Sequence, residues 1–272
     1  MSFQREAGDN SFHYDRDSMN IAVCVKQVVT RDWPLRVNET AEWVRDHDAS
    51  FEMNEPDAYA LEEGLRLKEQ HGGEVVVCVA GPSRVSQVIR EALARGADRA
   101  IHVQHDELAF ADADVVASSL AHSMVSEQFD LVLTGLQSDD QGFGQTGVIL
   151  AERLGLPHAT IVMEVDAGIA NTVRVKRELE GGWFQWVSMP TPALLTIQSG
   201  INQLRYATLK GIMAAKKKEV RVVEIQELQS AGQHIVRLYV PEKEKATRFV
   251  EGAPEAASQE LVRLLREEAR VL

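Results

Sequence analysis

The sequence predicts an α/β protein with a doubly wound, mostly parallel sheet, an antiparallel extension and a C-terminal helical arm. Three observations carry that reading. From Met19 onward, short β-rich apolar runs alternate with longer amphipathic stretches, the rhythm of strands joined by helical crossovers. Beyond Pro157 the period shortens to closely spaced strand-like runs around a Gly181-Gly182 turn, which reads as a hairpin. The last segment, from Pro254 to Val271, is amphipathic and heavily charged, and it lies outside the rhythm.

In chain order, residues 1–19 are polar and lack the apolar core of a secretion signal, so they read as an N-terminal extension. Asn20–Lys26 is a strand, Asn54–His71 a helix with Asn54 as its N-cap, and Glu74–Ala80 a strand. Gly81-Pro82-Ser83 turns into helix Arg84–Arg95, followed by strand Arg99–Val103, helix Asp112–Glu127 and the apolar run Asp130–Thr134. Ala159–Val165, Thr172–Leu179, Phe184–Ser188 and Ala193–Gln198 read as strands, Leu204–Lys218 as a helix and Val220–Glu227 as a strand. Ile235–Val240 is strand-like. This divides the chain into an extension (1–19), an α/β domain (20–227) and a C-terminal arm (228–272).

The 272 residues suffice for one large domain or two smaller ones. A net charge of −12, from 29 basic and 41 acidic residues, with no basic stripe, argues against a nucleic-acid partner. Cys24 and Cys78, the two cysteines, each sit in an apolar strand-like run, as buried thiols of a cytoplasmic protein do. No apolar run is long enough to span a bilayer. Histidines are scattered, and H-E-x-x-H, G-x-S-x-G and G-x-x-x-x-G-K-[ST] are all lacking, so neither a metal site nor a self-contained catalytic set is expected.

The stretch with chemical content is Gly135–Gly147, GLQSDDQGFGQTG, between the strand Asp130–Thr134 and the helix-like Val148–Leu154. Backbone N–H groups at a helix start lack partners and carry partial positive charge, while glycines let that backbone approach an anion. Gly142-Phe143-Gly144-Gln145-Thr146-Gly147 fits G-x-G-x-x-G, but six residues separate it from the strand end, and it lies far from the first strand. The loop therefore reads as a nucleotide holder, or else as a flexible turn in which glycines supply positive φ and Asp139 and Asp140 cap or solvate. In a sheet of this kind ligands sit beyond the carboxyl ends of the strands, where the turns after Cys24, Ala80 and Gly135 would meet.

Two further stretches, taken with this loop, resemble the β subunit of electron transfer flavoproteins. They are Val175–Gly182, followed by Gln185, Val187, Pro192 and Leu194-Leu195-Thr196, and Leu204–Lys218, LRYATLKGIMAAKKK. The resemblance covers about Asn20 to Gln226, and Val25-Lys26, Asn54 and Gly81-Pro82 keep the family order. It implies an adenine-nucleotide-binding sheet in a heterodimer whose α subunit holds most of the redox-active FAD. The β subunit would then carry electrons and not be an enzyme by itself. The heterodimer would accept electrons from an acyl-CoA dehydrogenase, in fatty acid oxidation, and pass them to a quinone-linked oxidoreductase.

The resemblance places AMP, or a second FAD in electron-bifurcating relatives, at the carboxyl ends of the strands. Cys24, Asn54 and Ala80 would line its adenosine side; Asp140, Gln141, Gly142, Gly144, Gln145, Thr146 and Gly147 its phosphate side. Gly144 stands where AMP-binding relatives tend to have Asn, while the Thr146 hydroxyl can donate to a phosphate and favours AMP. Leu209 takes the place of the family's leucine anchor for a dehydrogenase, with Tyr206, Ile212 and Met213 around it. On pattern alone, Leu209 reads rather as part of the core face of an amphipathic helix, beside Ile212 and Met213. Glu178 resembles the acidic residue that ties this subunit to the mobile flavin domain; by itself it is a charge at a strand end. The arm 228–272 is expected to contact the α subunit. Two other readings stay open: a nucleotide-binding stress sensor, which would need neither the Val175–Gly182 hairpin nor the Leu204–Lys218 helix, and a nicotinamide dehydrogenase, which lacks a clear acid/base pair.

Overall fold

The computed structural model describes residues 18–169, 171–241 and 247–272. The extension read for residues 1–19 lies almost wholly outside them. Strand β1 (Met19–Cys24) runs into β2 (Gln27–Val29), which pairs antiparallel with β3 (Phe51–Met53) in a small separate sheet. Then come α1 (Glu55–His71), β4 (Gly73–Gly81), α2 (Ser86–Arg95), β5 (Arg99–Gln104), α3 (Ala113–Met124) and β6 (Leu131–Gly135). After the glycine-rich loop follow α4 (Thr146–Leu154), β7 (His158–Ile169), β8 (Thr172–Glu178), β9 (Phe184–Pro190) and β10 (Ala193–Ile197). The chain closes with α5 (Leu209–Ala215), β11 (Val220–Glu224) and α6 (Pro254–Glu267).

The main sheet has nine strands in the order β11-β5-β4-β1-β6-β10-β7-β8-β9. It is parallel from β11 to β7, and β8 and β9 add an antiparallel edge. Alternation along the strands divides the core in two. Ile21 and Val23 of β1 pack with α1 and α2 on one face; Ala22 and Cys24 pack with α3 and α4 on the other. The sheet is thus doubly wound, as the alternating pattern predicts.

Local chemistry sets the element ends. Pro56 in the first turn of α1 needs no hydrogen-bond acceptor for its nitrogen, and Gly72 closes the helix at φ 74°. Asp112 caps α3 by accepting from Val115 N. At the outer edge, Arg174 lies over the Trp186 ring and Lys176 over Phe184, so the aromatics of β9 are roofed by cations from β8.

Several boundaries differ from the sequence reading. The helix expected at Leu204–Lys218 is confined to Leu209–Ala215, because Asn202 and Arg205 are drawn out of helical register onto α1 and the helix restarts at a Thr208 cap. Strand β11 stops at Glu224, three residues short of the expected end. Ile235–Val240 forms no strand; it runs past the β2–β3 connection, where Leu238 N donates to Ala41 O. Helix α6 starts where expected but ends at Glu267, buries none of its residues, and leaves Leu261 and Val262 exposed.

Candidate functional site

Strands β1 and β6 are neighbours, yet the chain leaves them in opposite directions across the sheet. Their carboxyl ends therefore diverge, and two backbone N–H groups lose their ladder partners. Asp57, in the first turn of α1, fills the gap: Oδ2 accepts from Lys26 N at 2.7 Å and Oδ1 from Gly135 N at 2.9 Å. Asp57 is 6% exposed. Burial pushes its carboxyl up to about 7, against the pull of those two N–H groups, the Asn54 side chain and the Lys26 charge. Gly135 is required here, since a Cβ would lie 2.3 Å from Asp57 Oδ1.

The loop after β6 is tied to the start of α1. Asn54 occupies the N-cap position but makes no capping bond. Its amide reaches across instead, donating to Gln137 O at 3.0 Å and accepting from Asp139 N at 2.8 Å. Asp139 in turn accepts from Glu55 N and pairs with Arg31. Lys26 Nζ sits 2.7 Å from Asp140 Oδ1 and also reaches Ser138 and Gln141. Burial works to raise the Asp140 carboxyl, but the Lys26 charge and hydrogen bond, with those of Ser138 and Gln141 N, hold it below its ordinary value.

The three glycines of the loop motif do different work. Gly142 and Gly144 adopt φ of 66° and 63°, the left-handed region. Gly147 lets α4 approach the sheet: a Cβ there would be 2.6 Å from Thr134 Oγ1 and 2.7 Å from Thr196 Cγ2. Gln145, at the N-cap of α4, makes no side-chain bond to the helix, so the first-turn N–H groups are left open toward the cleft.

A cavity of about 120 Å³ occupies this place. Cys24, Asn54, Ala80, Gln141, Gly144, Gln145, Thr146 and Gly147 all line it. Asp140 does not; it faces an adjoining cavity of about 550 Å³, which shares Lys26, Ala80 and Phe143 and extends under Trp43, Phe51 and Arg84. Gly142 lines neither wall and serves the turn. The Cys24 thiol is pushed well up by burial, then by Cys78 and Asp57, so it acts as apolar wall. The reading of the sequence missed Asp57, Thr134 and the apolar wall of Val116 and Leu120. An acidic residue in a first helical turn looks like a complement to the helix dipole, and only the splayed strands reveal its other use.

A second feature lies on α5. Tyr206 is 90% and Leu209 84% exposed, with Met213 and Ile212 beside them, while the helix buries Ala215. The core reading of Leu209 is thereby corrected. Gly211 sets the helix down on α2, since a Cβ would meet Ala94 O at 2.2 Å. Lys218 Nζ donates to Leu93 O and Ala97 O, so this cation complements the C-terminal end of α2. Glu178, at the end of β8, accepts from Gln198 Nε2 at 3.4 Å, while its neighbour Arg177 turns to Thr160.

Among the described residues, no group of three or more His, Cys, Asp or Glu could hold a metal, and no helix is long and apolar enough to cross a membrane. Residues 42–228 match the electron transfer flavoprotein domain family. The chain is 35% identical over 261 residues to the electron transfer flavoprotein subunit beta of Methylophilus methylotrophus, covering 92% of this chain and 98% of that one. Against the subunit of the same name from Bacillus subtilis (strain 168) it is 33% identical, over 93% and 100% of the two chains. Against the mitochondrial subunit of Oryza sativa subsp. japonica it is 37% identical, over the same shares.

Proposed function

Because the chain belongs to the electron transfer flavoprotein family, among its β subunits, we propose that it forms a heterodimer with an α subunit and carries an AMP in the cleft between β1 and β6. One observation supports this most: the open first turn of α4 faces a cavity at the switch point of the sheet. The donor set fits a nucleotide monophosphate. Thr146 Oγ1 and the N–H groups of Thr146 and Gly147 would hold phosphate, with Lys26 as the nearby cation; Cys24, Asn54 and Ala80 would flank the adenosine. Asp140 keeps Lys26 oriented, and Gln141 and Gly144 close the loop over the site.

In this reading FAD, held mainly by the α subunit, supplies the redox chemistry. The chain itself then serves as an electron-carrier subunit. It docks, positions and orders. The exposed Leu209, with Tyr206, Ile212 and Met213, is the anchor for an acyl-CoA dehydrogenase that donates electrons, which then pass to a quinone-linked oxidoreductase in the cytoplasm. Such an anchor suits a transient contact, because a few buried side chains carry most of the energy. Glu178 orients the flavin-bearing domain, and the arm from residue 228, with the unburied face of α6, lies across the α subunit. A stand-alone sensor would gain nothing from so exposed a leucine.

The test is to denature the purified heterodimer and count released FAD and AMP. One of each is the expected result, and no nucleotide beyond a single FAD would overturn the assignment of the cleft. Two FAD and no AMP would favour an electron-bifurcating subunit. The observation favouring that second reading is the adjoining cavity of about 550 Å³, which has room and aromatic walls for a flavin beyond the phosphates.

A further inference from the structure

Residues 198–208 lead from β10 to α5 with neither helix nor strand of their own to set where Leu209 stands. Their placement comes from α1, through one side chain above all. Arg205 donates Nε to Glu62 Oε2 at 2.8 Å and Nη2 to Glu62 Oε1 at 3.0 Å, a two-pronged pairing. Its Nη1 and Nη2 also reach the two carboxylate oxygens of Glu69, two turns further along the helix, and its backbone N donates to Glu62 Oε2. Asn202 adds a smaller tie, to Glu63 and Tyr59 O.

Glu62 is buried, and Arg66 holds its other side. Burial works to raise the Glu62 carboxyl, but its bonds to Arg205 and Arg66 outweigh that and keep it ionised. The pair therefore stands as a fixed charge contact at the foot of the segment. Four residues on, Leu209 projects into solvent.

We propose that Arg205 is the positioning residue of the docking surface: by clamping Glu62 and Glu69 of α1 it fixes the irregular segment so that Leu209 is presented before a partner arrives. Resting on the docking role of Leu209 argued above, this assigns part of the affinity to preorganisation and not to contact. Arg205 itself need not touch the partner.

The experiment uses the full heterodimer and an acyl-CoA dehydrogenase reduced by its substrate, with steady-state rates taken as the flavoprotein concentration varies. Arg205→Ala is expected to raise the KM for the flavoprotein about tenfold while kcat and the AMP content hold. Arg205→Lys should restore little, since an ammonium cannot pair with both oxygens of two carboxylates. Glu69→Gln removes only the outer half of the clamp, keeps the buried Glu62 contact, and should raise KM by a smaller factor; it carries the test if Arg205→Ala fails to fold. Adding Arg205→Ala to Leu209→Ala should cost nothing more than Leu209→Ala alone. An unchanged KM in Arg205→Ala or Glu69→Gln, or a fall confined to kcat, would overturn the positioning role while leaving the anchor intact. An unchanged KM in Leu209→Ala would instead overturn the docking reading on which it rests.

Discussion

The cleft between β1 and β6 and the exposed face of α5 depart from ordinary burial in opposite directions. In the first, a carboxylate is sealed in the interior and answers two backbone N–H groups. In the second, a leucine and a tyrosine stand almost wholly in solvent. Each departure costs stability by itself: a buried charge must be matched by hydrogen bonds, and exposed apolar area forgoes burial. The difference lies in how the two are supported. The cleft is woven into the core, so its residues carry structural duty; α5 sits on a platform of Gly211 and Lys218 and leaves its outward side chains free of it.

Asp57→Ala should break the comparison most violently. It leaves the N–H groups of Lys26 and Gly135 without acceptors in the interior and should cost about 2–6 kcal/mol by chemical denaturation. Asp57→Asn is milder and tests the charge. With a folded carboxyl near 7 against an ordinary 3.8, the contribution of this group to stability is fully present below about pH 3.8 and is lost as pH rises through about 7. A stability profile across that window should therefore be flatter in the Asn variant, and identical slopes would deny the raised value.

Gly147→Ala comes next. Its Cβ would be 2.6 Å from Thr134 Oγ1, and relieving that overlap should cost about 1–3 kcal/mol and lower the AMP recovered from the heterodimer. On the other side of the comparison, Leu209→Ala should change stability by no more than about 0.5 kcal/mol, since the side chain is 84% exposed, while the KM for the flavoprotein rises. A large loss of stability there would dissolve the distinction between the two regions. Truncation after Gln226 should disturb the sheet least, because α6 buries none of its residues; loss of the α subunit on co-purification is the expected readout.

The sequence was legible wherever one physical signal acted alone. Short, valine-rich apolar runs such as Val75–Val79 favour buried strands, and the turns after Cys24, Ala80 and Gly135 converge as the strand ends of a doubly wound sheet must. It was illegible where distant parts decide. Leu204–Thr208 has helical pattern, yet Glu62 and Glu69, 136 to 143 residues away in sequence, pull Arg205 elsewhere. Asn54 looks like an N-cap and sits at one, but its amide is spent on the loop after β6. The strands β2 and β3, three residues each, are too short to show an alternation at all.

Strand β9 closes the sheet on one side, and its outer backbone edge is a template onto which another extended chain can add. Trp183, Phe184 and Trp186 make that edge greasy as well. Arg174 and Lys176, laid flat on the rings, act as gatekeepers: a foreign strand must first displace hydrated cations from their aromatic seats. Pro190, which has no N–H to offer, ends the run. The rim that exposes Trp183, Phe184 and Trp186 thus carries its own obstacle to strand addition.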